Sequence, residues 1–162
     1  MRARDRERAG TAAETKARES ETSEPPRVSR LYSLAAVLSL VGLADAIYLT
    51  VEHLTGRSVR CTVTGGCSEV LGSPYATIGG YPLALFGALA YFTAFSLATL
   101  AAFGSQRAGN LFALLAALMF AASLWLLYLQ AFVLHAFCQY CLLSAAVTAL
   151  LACIAVARRV TK

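Results

Sequence analysis

Four long apolar stretches separated by short polar breaks outline this 162-residue chain. They are Leu31–Val51, Pro82–Phe103, Leu111–Leu134 and Ala136–Ala157. The first carries one charge, Asp45, and the other three carry none. A bilayer core about 30 Å thick needs about 20 apolar residues of helix, and helices satisfy their own backbone groups where lipid cannot. The pattern therefore predicts an all-α integral membrane protein, a four-transmembrane-helix bundle. The first stretch is too long for a signal-peptide core and has no clear A-x-A site after it, so it is kept as a span.

Composition agrees. Charged residues make up 14% of the chain, against about 25% in soluble domains, and they are unevenly spread. Residues 1–30 hold eight of the fourteen Lys/Arg and six of the nine Asp/Glu. This segment has almost no large apolar residues to bury and reads as a disordered cytoplasmic tail. Residues 31–157 form the membrane domain, and 158–162 a short basic cytoplasmic tail.

Charge also sets the orientation. Lys16, Arg18, Arg27, Arg30, Arg107, Arg158, Arg159 and Lys162 fall on one side of the four spans, whereas the other side has only Arg57 and Arg60, offset by Glu52 and Glu69. The positive-inside rule places both termini and the 104–110 connection in the cytoplasm. The 52–81 loop and the short turn near His135 then face outward. The net charge of +5 reflects this bias and does not indicate nucleic-acid binding.

The outer loop is expected to fold rather than extend into water. Gly65-Gly66 permits tight turning. Ser68–Leu71 is a candidate half-helix, ended by Gly72-Ser73-Pro74 because the residue before proline avoids the helical region. Val70, Leu71, Tyr75 and Ile78 make the segment apolar enough to cap the bundle. Pro82 opens the next helix at a position where its missing N–H is harmless.

The candidate chemistry is sulfur. The chain has five cysteines. Cys61 and Cys67 form C-x5-C in the loop, and Cys138 and Cys141 form C-x2-C at a span boundary, all on the predicted outer side. Disulfides persist outside the cytosol. A spacing of three places both sulfurs of Cys138 and Cys141 on one helix face. A helix start favours a thiolate at Cys138, and the thiolate is the reactive species in disulfide exchange. C-x2-C also occurs in metal sites and structural disulfides. A second pair at the same boundary favours redox chemistry. For Cys61 and Cys67, a static loop disulfide and a zinc site shared with Cys138 and Cys141 remain as alternatives. C-x5-C is loose for zinc, so no metal is expected.

Other residues are less telling. Cys153, deep in the last span, reads as a buried small hydrophobe. Asp45 is an ionisable group inside a span, either functional or reaching toward the interface. His53 and His135 lie near the outer boundary, where proton transfer is possible and an interfacial position suffices. Trp125, Tyr128 and Tyr48 fit an aromatic belt.

The run Cys61…Cys67-Ser68-Glu69-Val70-Leu71-Gly72-Ser73-Pro74-Tyr75-Ala76…Gly80-Tyr81-Pro82-Leu83-Ala84-Leu85-Phe86-Gly87, followed by Cys138-x-x-Cys141, strongly resembles bacterial vitamin K epoxide reductase homologues over about residues 31–157. The resemblance implies that Cys138 and Cys141 are the catalytic pair, with Cys141 nearer a bound quinone. It implies that Cys61 and Cys67 shuttle electrons from a thioredoxin-fold partner and that Cys67 exchanges with Cys138. It also implies that Ser73 lies near the quinone, ubiquinone or menaquinone. The implied location is the bacterial inner membrane.

Two departures matter. Vertebrate members carry Thr-Tyr-Ala shortly after the second active-site cysteine, where this chain has Ser144-Ala145-Ala146. They also use an asparagine near the start of the second helix, whereas Asn110, the chain's only asparagine, is on the other side. Many bacterial members carry a fused thioredoxin-like domain. This sequence ends five residues after the last predicted span, so the partner is expected to be a separate protein. The expected function is a quinone-dependent thiol oxidoreductase that drives disulfide formation outside the cytoplasm. The alternatives are a quinone or quinone-epoxide reductase whose product is the reduced quinone, and a non-catalytic membrane scaffold with structural disulfides.

Overall fold

The computed structural model describes residues 26–56 and 65–160, with side chains from Ser29 onward. The expected tail through residue 25, Arg57, Arg60, Cys61 and Lys162 lie outside the described residues.

Among the described residues, five α-helices and a small hairpin follow in order. Helix α1 is Pro26–Leu54, α2 is Cys67–Leu71, α3 is Leu83–Ala102, α4 is Gln106–Leu129 and α5 is Gln139–Val160. A turn of 3-10 helix at Pro74–Ala76 precedes strands β1 (Thr77–Ile78) and β2 (Tyr81–Pro82). These pair antiparallel, with Thr77 opposite Pro82 and Ile78 opposite Tyr81. A π-helical turn, Gln130–Leu134, extends α4.

Among the described residues, four helical segments are long and apolar enough to cross a membrane: Ser29–Leu54, Leu83–Ala102, Gln106–Leu134 and Gln139–Val160. They run up and down, with α1 against α3 and α5, and α4 against α3 and α5. The chain is a multi-pass helical bundle. The ends of α1 and α4 and the starts of α3 and α5 meet at one end, which also carries α2 and the hairpin. This is the cysteine end.

The structure moves several predicted boundaries. Helix α1 begins at Pro26, a favoured first-turn position for proline, so the last residues of the expected tail are helical. The connection expected over 104–110 shrinks, because Ser105 caps α4, its Oγ accepting the Ala108 N–H at 3.4 Å. Helix α5 runs to Val160, so Arg158 and Arg159 are helical residues. Arg158 is 5% exposed. It donates to Gln106 Oε1 at 2.9 Å and lies over the Tyr32 ring. Pro82 caps α3 from just outside rather than starting it.

Small residues hold the bundle together. Ala35, Ala46, Ala88, Ala94, Ala98 and Ala116 are buried between helices, while Leu34, Val37, Leu89, Phe92 and Leu118 are exposed. Lipid is as apolar as leucine, so helix association in a bilayer relies on close backbone approach and interhelical hydrogen bonds. Gly42 shows this directly, since a Cβ there would collide with the Tyr91 ring. The Tyr91 hydroxyl in turn bridges α3 to α5 at Ser144, 2.8 Å from Oγ.

Cys153 departs from expectation. It is a free thiol and exposed at the bundle surface. Its helical phase turns it away from the neighbouring buried Leu151, Ile154 and Ala155.

Candidate functional site

The site is built where α4 gives way to α5. Helix α4 ends in the π turn, and His135 follows in the left-handed conformation at φ 50°. Non-glycine residues seldom adopt positive φ. Here it reverses the chain within a few residues, so that α5 can start beside the end of α4. Cys138 is the last residue before α5, and its carbonyl accepts the Leu142 N–H at 3.0 Å. Cys141 follows in the first turn of that helix.

The two sulfurs have different surroundings. Cys138 is fully buried in an apolar cluster with Leu49, Cys67, Val70 and Ala136. Cys141 is half-buried and lines a partly open cavity of about 290 Å³. Cys138 is not part of that cavity wall. Both sulfurs therefore pack at the cluster that holds Cys67, and Cys141 is the one of the two that also opens onto the cavity.

Helix α2 delivers the loop sulfur. Gly66 precedes it and packs against the 136–137 backbone. A Cβ at Gly66 would lie 2.9 Å from Ala136 Cβ and 2.9 Å from Phe137 N. Only the absence of a side chain lets the loop approach this closely. Cys67 is disulfide-bonded and 1% exposed, while Cys138 and Cys141 are free thiols.

Cys138 lies just before the fourth span, and its thiol is lowered from the ordinary value of 9.0 to about 7. The hydrogen bond from the Cys141 side chain is the largest cause, and burial opposes it. Backbone N–H groups of Cys141 and Tyr140 also donate to the sulfur, while the negative charge of Asp45 works against the thiolate. The N–H contribution is the effect expected at a helix start.

Ser73 is buried and lines the same cavity as Cys141. Its Oγ–H donates to Val70 O at 2.7 Å, closing the end of α2. That leaves Ser73 only lone pairs to offer a ligand. Asp45 and His53 also reach the cavity. His135 does not, and serves the turn. Trp125, Tyr128 and Phe132 form an exposed aromatic ladder outside the cavity wall, with centroids 5.8 and 5.0 Å apart. Tyr48 packs on Tyr140 at 5.4 Å.

Three residues of the cavity wall carry no site role in the sequence reading. Tyr91 and Ser144 join across the cavity wall. Gln130 is 2% exposed, and its Oε1 accepts the Cys138 N–H at 3.0 Å. Gln130 had a signal: it is the sole amide side chain between Leu111 and Leu134, and a polar group inside a span needs a partner.

The cavity wall is largely apolar. The cavity is lined by Leu49, Phe86, Met119 and Leu126, with polar groups at Asp45, His53, Ser73, Gln130, Ser144 and Thr148. Its volume is near the lower end of small-molecule sites, about 300–1,000 Å³.

Fold and site together define a helical-bundle membrane protein with a buried dithiol beside an apolar cavity. The sequence profile of the vitamin K epoxide reductase family matches residues 33–156, and the chain belongs to that family. It is also similar to the thiol-disulfide oxidoreductase LTO1 of Arabidopsis thaliana, 34% identical over 112 residues. That match covers 64% of this chain and 30% of the relative.

Proposed function

We propose that this protein is a quinone-dependent thiol oxidoreductase that reoxidises a thioredoxin-fold partner and so drives disulfide formation outside the cytoplasm. The reading is supported by the division of the C-x2-C pair: Cys138 shares a buried cluster with Cys67, while Cys141 opens onto the cavity. Family membership and the name of the Arabidopsis relative point the same way.

The steps follow from thiol exchange. The partner's two thiols reduce the Cys61–Cys67 disulfide. The Cys67 thiolate attacks the Cys138 sulfur of the oxidised pair, forming a mixed disulfide and releasing the Cys141 thiolate. Cys61 then attacks Cys67, which restores the loop disulfide and releases Cys138 as a thiolate. The reduced pair returns to a disulfide by giving up two electrons at Cys141. A quinone supplies the acceptor chemistry, taking two electrons and two protons to become a quinol. Leu49, Phe86, Met119 and Leu126 give the cavity an apolar wall, while Ser144 and Tyr91 present hydroxyls near it. Ser73, as an acceptor only, can orient a hydroxyl.

In this reading the cysteine end faces out of the cytoplasm, as the distribution of Lys and Arg favours, in a bacterial inner membrane. A partner too large to enter the cavity explains why two cysteine pairs are needed.

The test uses purified full-length protein with reduced partner and quinone. Cys141→Ala should abolish quinol formation; unchanged turnover would end the proposal. Cys67→Ala should block oxidation of the partner while a small dithiol still supports quinol formation.

A further inference from the structure

Asp45 is the one acidic side chain lining the cavity among the described residues. On α1, Asp45, Ala46, Leu49 and His53 all face the cavity, at spacings that put them on one stripe of the helix. Two close approaches to α3 flank the carboxyl. Gly42, one turn before it, meets the Tyr91 ring, and Ala46 Cβ lies 3.8 Å from where a Cβ at Gly87 would sit. The same wall holds Cys141 and, one turn further along α5, Ser144, whose Oγ is 2.8 Å from the Tyr91 hydroxyl. The other titratable groups on the wall are His53 on α1, Tyr75 beyond α2, Tyr91 on α3 and Tyr140 on α5. No lysine or arginine among the described residues lines it. The carboxyl group therefore faces a largely apolar space with no cation to compensate its charge, and an ionised group is costly there.

We propose that Asp45 holds the second proton of the reduced cysteine pair, so that the site stores two protons beside two electrons. The inference rests on the redox reading above and deepens it. In the reduced pair Cys141 keeps its proton and donates it in a hydrogen bond to Cys138, which is a thiolate above about pH 7. The charge of Asp45 acts against that thiolate, and the thiolate acts equally against the Asp45 carboxylate. Like charges that interact in this way do not both stay ionised at low cost. Reduction of the pair therefore draws one proton from water, through the open side of the cavity, onto the carboxyl group. On oxidation the bond between the two sulfurs forms, the Cys141 S–H breaks, two electrons leave and Asp45 returns to carboxylate. One proton comes from Cys141 and one from Asp45, the number a quinone takes up with an electron pair. Charge balances, because the protein carries one negative charge before the step, on Cys138, and one after it, on Asp45.

The test needs no quinone. Full-length protein is poised at fixed ambient potentials, and reduced-minus-oxidised infrared spectra read its carboxyl groups. The wild type should gain a protonated-carboxyl band on reduction, and Asp45→Asn should lack it. Acid quenching with mass-tagged alkylation reads the Cys138–Cys141 dithiol-to-disulfide ratio across pH. Above about pH 7.5, where Cys138 is ionised, the ratio should fall about a hundredfold per pH unit in the wild type and about tenfold in Asp45→Asn, equivalent to about 60 and about 30 mV. Asp45→Glu keeps a carboxyl group and should keep the steeper dependence. Helicity and melting temperature show that each variant is folded. A wild-type dependence no steeper than that of Asp45→Asn, or a carboxyl spectrum unchanged by reduction, overturns the inference. If both expected results hold and the wild type forms no quinol, the quinone reading fails alone and the proton assignment stands.

Discussion

Gly66 packs so closely on Ala136 that a Cβ there would lie 2.9 Å from the Ala136 Cβ and equally near the Phe137 backbone N. This contact brings the start of α2, and with it Cys67, against the turn that presents Cys138. The neighbouring atoms are partly backbone and cannot simply rotate away.

Gly66→Ala should therefore displace the loop while leaving the four spans intact. A misplacement of about 1 Å can cost on the order of a hundredfold in rate. The expected result is a ten- to hundredfold fall in oxidation of a protein dithiol, with little change when a small dithiol reduces Cys138–Cys141 directly. Parallel stopped-flow measurements with the two reductants check this, and an equal loss on both routes would contradict it.

Cys138 should react as a thiolate at neutral pH. With its thiol lowered to about 7 from an ordinary 9.0, the reactive fraction is about half at pH 7 and falls as pH drops below that. Iodoacetamide alkylation of the reduced protein should show a midpoint near pH 7 at Cys138. Because the negative charge of Asp45 raises this thiol, Asp45→Asn should move the midpoint lower. A Cys138 midpoint near 9, or an upward move in Asp45→Asn, would contradict the electrostatics described here.

Gly42 and Tyr91 form a knob and its socket. A Cβ at Gly42 would overlap the Tyr91 ring, and the ring cannot retreat without releasing its hydroxyl from Ser144. Gly42→Ala should destabilise the bundle by about 1–3 kcal/mol, the usual cost of overpacking. Tyr91→Leu should relieve part of that loss in the double variant, at the cost of the Ser144 bond, about 1 kcal/mol. Thermal denaturation in detergent for the four proteins of this cycle gives the coupling. Strict additivity would show that the two positions do not share this socket.

Much of the architecture is legible along the chain. The four spans follow from run length and charge, because only a helix can bury its backbone in lipid. The half-helix after Gly65-Gly66 and its stop at Gly72-Ser73-Pro74 follow from local backbone chemistry. The short turn before Cys138 follows from how little chain separates the last two apolar runs. Spacing likewise puts Cys138 and Cys141 on a common helix face.

The sequence cannot say which side of each span faces protein. Lipid and protein interior are both apolar, so the polar–apolar periodicity that marks a buried face in water is erased. For that reason Cys153 reads as buried and stands exposed, and Arg158 reads as a tail residue and lies buried over Tyr32. For the same reason, only the packed bundle separates Cys138, set among Leu49 and Cys67, from Cys141 at the cavity. The hydrogen bonds from Gln130 to the cysteine turn, and from Tyr91 to Ser144, also needed three dimensions. Each joins groups whose spacing follows no helical repeat, and each is fixed by a chain reversal or a helix crossing rather than by local preference.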